Sequence, residues 1–410
     1  MELLKNPTFY AIFCLIISVL AIGVYIGCSI VLGIEQTTPA NPKGWGDLDY
    51  DAAQGSRDSL QNYMAERKLP LDTPMNQFTV ATASFGGIFT EDTSYSPWIG
   101  HVSPEAARLQ VEAGARAMVL DIWPDPANLQ NPIVAAMKDL QQWYIQHTWI
   151  EWGLNRGVGR YSNWNRVTRN KAPVADILNP ALKAAFHSVP GKQNTDPFFL
   201  ILRLHGAMTK EYLDTLGSIV RTAIGQNSMG TEWNYCQNQS QIFSAPVSDF
   251  LSKVFLIVLP DIQSGYNSLP NINTYPAFTA SFLSTSLGEI TNAVEQVPNT
   301  MAFEPSGSAA IAVANQPPCK SSTSPSPASS AKTFTPQQTL AQVGFCTIQP
   351  SIGGSTSDNS KLYKTPSYEK CMQTGAQFVA VNYFSPNSKD SVLSSSLFHN
   401  YFGKYSFHKN

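Results

Sequence analysis

One pattern, a helix, a glycine, an apolar strand and a proline, occurs twice and far apart in this chain of 410 residues. Glu112 to Pro126 reads EAGARAMVLDIWPDP, and Gln373 to Asn387 reads QTGAQFVAVNYFSPN. Glycine ends a helix by adopting a backbone conformation that other residues resist. The runs that follow are apolar without alternation, as in a strand covered on both faces. Similar strands read at Gln77 to Ser84 (QFTVATAS), Phe198 to Leu204 (FFLILRL) and Val254 to Leu259 (VFLIVL). The first of these leads into the turn signal Gly86-Gly87. Helices lie between them. Ser103-Pro104-Glu105 opens one with a cap residue and a first-turn proline, and another runs from about Thr209 to Ile224. Apolar strands alternating with helices predict an α/β fold with a parallel sheet. The sheet is either a closed β/α barrel or doubly wound. No GxGxxG or GxxxxGK[ST] loop is present, which weakens the nucleotide-binding form of the second.

The N-terminus adds a different constraint. Asn6 through Ile34 carry no charged side chain, and residues 9–32 are nearly all apolar or glycine. As a helix that segment is roughly 36 Å long, enough for a hydrocarbon core of about 30 Å. It predicts one N-terminal transmembrane helix, too long for the apolar core of a cleaved signal peptide. Lys5 precedes it, and Glu35, Asp47, Asp49 and Asp51 follow it. Positive-inside counting then puts the N-terminus in the cytoplasm and the C-terminal domain on the opposite face. Membrane lipid is thus an expected partner.

Composition narrows the remaining classes. The net charge of −2 argues against nucleic acid, whose binders carry a basic excess. Charged residues make up 14%, well under the average for soluble domains, which fits an extracytoplasmic protein or one packed among neighbours in a larger assembly. Cys236, Cys319, Cys346 and Cys371 follow the span and allow three disulfide pairings, with Cys319 and Cys346 the first choice. Asn238-Gln239-Ser240 is a glycosylation sequon. From Ala314 to Pro336 the chain is rich in serine and proline, a composition that cannot bury enough apolar area to offset ordering. Trp143, Trp149, Trp152 and Trp164 cluster in a stretch that reads either as an insertion packed on the main domain or as a contact with lipid headgroups.

These residues resemble the X and Y halves of phosphatidylinositol-specific phospholipase C, a TIM-type β/α barrel. Thr82-Ala83-Ser84-Phe85-Gly86 stands where that family has Ser-Ser-His-Asn-Thr. Val119-Leu120-Asp121-Ile122-Trp123 is similar to its Glu-Leu-Asp-x-Trp strand. Pro132 to Met137 is similar to its Pro-Ile-Ile-Tyr-His-Gly run, and Phe198 to His205 to its Val-Ile-Leu-Ser-Leu-Glu-Asn-His strand. Gly375 to Tyr383 is similar to Gly-Cys-Gln-Met-Val-Ala-Leu-Asn-Tyr, and Tyr405 to Lys409 reads as the last barrel strand. The resemblance implies 77–410 as the barrel, after 1–35 read from the sequence as stub and anchor and 36–76 as linker and polar helix. The Ser/Pro-rich residues 314–336 then stand as its X–Y linker.

The resemblance also says where the chemistry departs. The family uses two histidines as acid and base, because their pKa lies near neutrality. Ser84 and Ala136 occupy those positions here. Its calcium ligands correspond to Phe85, Val119, Asp121 and Arg203, a set with one carboxylate and one cation where several carboxylates are needed. No metal or cofactor is therefore expected, and Arg203 is expected to pair with Asp121. His205 matches a strand-end histidine, and His101 follows the first strand by a loop. Two functions follow as expectations. One is a membrane-anchored, catalytically degenerate barrel acting as a structural or interaction component, such as a minor capsid protein linking a virion's inner membrane to its capsid. The other is a membrane-tethered phosphodiesterase whose active site is rebuilt from His101, His205 and Arg203.

Overall fold

The protein was analysed as a computed structural model. The structure describes residues 58–90, 100–139, 168–186, 194–205, 209–234, 244–260, 285–294, 377–384 and 401–409. It also describes Ser18, Ile242 and short strand pieces at 164–166, 312–313, 332–333 and 347–348. The chain forms two units, Met1–Asn41 and Pro42–Asn410. Everything below concerns the second. The expected anchor at 9–32 lies outside the described residues apart from Ser18, and so do Cys236, Asn238, Cys319, Cys346 and Cys371. Among the described residues no helix is long and apolar enough to cross a membrane.

Helix α1 (Leu60–Glu66) precedes strand β1 (Phe78–Ser84), which is followed by β2 (Ile88–Thr90) and β3 (Gly100–Val102). Helix α2 (Pro104–Glu112) leads into β4 (Ala117–Asp125), which turns back into β5 (Asn128–Val134). Short strands β6 (Met137–Asp139), β7 (Trp164–Arg166) and β8 (Ala172–Pro173) come before α3 (Val174–Phe186) and β9 (Phe198–Leu204). Helix α4 (Lys210–Ile224), the short α5 (Val247–Phe250) and β10 (Val254–Pro260) follow, then α6 (Thr285–Ile290) and β11 (Ala293–Val294). The remaining strands are β12 (Ala312–Val313), β13 (Lys332–Thr333), β14 (Thr347–Ile348), β15 (Phe378–Asn382) and β16 (Phe407–Lys409).

The parallel ladders run in the order β11-β10-β9-β4-β1-β15-β14. Read along the chain, each parallel strand adds beside the one before it from β1 to β11, while the last, β15, returns to pair with the first. A doubly wound sheet would reverse its strand order at a switch point. The observed succession is a curled half-barrel, compatible with a β/α barrel. Closure is not completed among the described residues, since the seam between β11 and β14 falls in the stretch between Val294 and Thr347. The sheet curls strongly nonetheless. Phe199 on β9 and Phe378 on β15 are three strand spacings apart, about 14 Å on a flat sheet, yet their ring centroids lie 5.0 Å apart.

Local chemistry explains the element boundaries. The Ser103 side chain accepts the Glu105 N–H, capping α2, and Gly114 (φ 104°) stops the chain after it as the sequence predicts. Thr209 caps α4 in the same way by accepting the Tyr212 N–H. Gly86 has no room for a side chain. A Cβ there would stand 2.6 Å from Leu120 Cδ2 and Met118 Cγ, and 2.8 Å from the Val119 carbonyl oxygen.

Three segments read from the sequence take a definite place in the fold. Of Tyr405 to Lys409, the part Phe407–Lys409 forms a strand, but β16 runs antiparallel to β1, pairing Phe78 with Lys409 and Val80 with Phe407. It extends the sheet at the start of β1 and is not a member of the parallel succession. The polar helix read before the sheet is α1, and its Leu60, Tyr63 and Met64 are buried in the main hydrophobic cluster because its apolar residues fall on one face. Finally, Lys332–Thr333 within the Ser/Pro-rich stretch pairs with Ala312–Val313, so that stretch is not wholly without regular structure.

Candidate functional site

Register decides which side chains share the inner face of the sheet. Paired residues on parallel neighbours point the same way, and alternate residues along a strand share a face. Ser84 is opposite Asn382, Thr82 is opposite both Ala117 and Ala380, and Asp121 is opposite Arg203. One face therefore carries Ser84 on β1, Val119, Asp121 and Trp123 on β4, Arg203 on β9 and Asn382 on β15. His205, one residue past β9, continues that face, and its N–H donates to the Ile122 carbonyl at 3.0 Å. Ser84, Arg203 and Asn382 stand at the C-terminal ends of their strands, and Asp121 of the longer β4 is level with Arg203.

Asp121 is the hub. Arg203 grips it with two hydrogen bonds, Nε to Oδ1 at 2.5 Å and a terminal nitrogen to Oδ2 at 2.9 Å. His205 Nε2 lies 2.7 Å from the same Oδ1. The Trp123 ring stacks on the His205 ring, with centroids 4.2 Å apart and planes 5° from parallel. The side chains of Asp121, His205 and Arg203 are only 0%, 2% and 9% exposed. Burial alone would raise the Asp121 pKa, but the Arg203 charge and the His205 bond outweigh it and hold the carboxyl down to about 2. Asp121 is thus ionised throughout the neutral range, with both oxygens engaged.

That donor set does not suit calcium, which takes about six to eight oxygens including several carboxylates. Here the one carboxylate is held by a guanidinium and an imidazole, and Phe85 and Val119 contribute apolar side chains. Among the described residues no group of three or more His, Cys, Asp or Glu stands together.

Ser84 is 3% exposed, and its Oγ makes no hydrogen bond. Ala136 is fully buried just past β5, with its carbonyl accepting the Thr168 N–H at 3.3 Å. Neither can exchange a proton near pH 7. His101 lies on β3, buried, its ring 5.5 Å from that of Phe89. His408 on β16 is far along the chain from this face, at the opposite end of β1. His147, His187 and His399 lie outside the described residues, as do Trp143, Trp149 and Trp152. The stacking of Trp123 on His205 is new information. Its spacing of two from Asp121 already puts it on the same strand face, but nothing in the sequence pairs it with a residue 82 positions away.

No protein-family model matches the chain, and no curated protein matches it. Solved structures that match include phospholipases C. A calcium-dependent phosphoinositol-specific phospholipase C from Pseudomonas sp. is 12% identical, covering 56% of this chain and 68% of its own, with a TM-score of 0.32. A Ca2+-dependent phosphatidylinositol-specific phospholipase C from Streptomyces antibioticus is 11% identical, covering 55% and 66%, with a TM-score of 0.31. PLC21 from S. officinalis is 10% identical, covering 77% of this chain, with a TM-score of 0.39. The matched part spans only 34% of that protein and 24% of PLC21 from L. pealei. The curled strand succession rests on the strand order and register of this chain itself.

Proposed function

We propose that this protein is a phospholipase-C-like barrel without phosphodiesterase activity, serving as an interaction or structural component held at a membrane by residues 9–32. The observation that carries the reading is the saturation of Asp121. The carboxylate at the resembled metal position is bound on both oxygens, buried, and neutralised by Arg203. A guanidinium spent on an internal carboxylate is not available to a substrate phosphate. Ser84 and Ala136 supply no acid or base, and each such group usually contributes about 10²–10⁴-fold. The membrane attachment and the kind of partner rest on the sequence: its uncharged N-terminal run, its low charge and its resemblance.

The test is turnover by the full-length chain on phosphatidylinositol vesicles. Release of inositol phosphate should not exceed a no-enzyme control, with or without calcium. A second reading draws on the 2.7 Å contact between His205 and Asp121, the geometry of an oriented imidazole base. It makes the protein a membrane-tethered phosphodiesterase with a rebuilt site. Turnover lost in both His205→Ala and His101→Ala, with folding intact, would establish that reading and refute the first.

A further inference from the structure

No further inference is drawn: the strongest candidate, the uncharged tip of the β4–β5 hairpin (residues 126–131), where Leu129 is 41% exposed, is a lone apolar projection, and nothing in the structure shows what covers it.

Discussion

Arg203 and Asp121 face each other on adjacent strands, and the consequences of that pairing are measurable. A buried ion pair adds little net stability over a well-packed apolar pair, but removing one partner strands the other charge and costs about 3–5 kcal/mol. Arg203→Ala should lower the urea unfolding free energy by about that amount, and a loss under about 1 kcal/mol would show that the cluster is not structural. Arg203→Lys should recover only part, because an ammonium cannot reproduce the two-pronged bond. The acid dependence has a defined sign. Asp121 is held down to about 2, below its unfolded value of 3.8, so its stabilisation is fully present above about pH 4. It is lost as pH falls through 2. Other carboxylates titrate there too, so the informative quantity is the difference between the native protein and Asp121→Asn. That difference should shrink from pH 5 to pH 2.

At the scale of elements, the turn after β1 depends on a single missing side chain. Gly86 lies against β4, where the Val119 carbonyl cannot withdraw without breaking the bond it accepts from the Gly86 N–H at 2.8 Å. Gly86→Ala should therefore cost about 1–3 kcal/mol through overpacking, measured by thermal or urea unfolding. An unchanged midpoint would mean that β1 and β4 separate more easily than their packing implies. The β16 strand makes a comparable demand at the other end of β1. Its His408 is half-buried, and burial followed by the Arg67 charge lowers its pKa. The folded form therefore favours the neutral imidazole. Its contribution is complete above the unfolded pKa and is lost as pH falls through the depressed folded one.

For the whole molecule, the two ends of the described unit meet at the start of β1. The Lys409 N–H donates to the Tyr63 hydroxyl at 2.8 Å, Lys404 bridges Asp58 and Glu66, and Arg67 lies 4.0 Å above the Tyr63 ring. Buried Asp196, two residues before β9, accepts the Leu60 N–H at 2.7 Å and so fixes the start of α1. Removing residues 405–410 would expose the apolar face of α1 and the free side of β1 together. The truncated chain should lose its cooperative thermal transition. A shift of only a few degrees would show that α1 and β1 hold without β16.

What the sequence determined by itself is what local chemistry controls. Apolar runs marked β1, β4, β9, β10 and β15, glycine and cap residues marked where α2 and α4 end and begin, and the carboxylate and arginine of β4 and β9 were legible as a pair. The tertiary structure decided the rest. Burial and backbone preference are written residue by residue, whereas register joins residues far apart, 82 positions for Asp121 with Arg203 and 84 for Asp121 with His205. The return of β15 to β1, the antiparallel course of β16, the burial of α1 and the two bonds of the Asn170 side chain to the Val102 backbone all depend on which distant groups find one another. No periodicity in the chain records that, because each of those bonds is satisfied by a partner that only the folded sheet brings within reach.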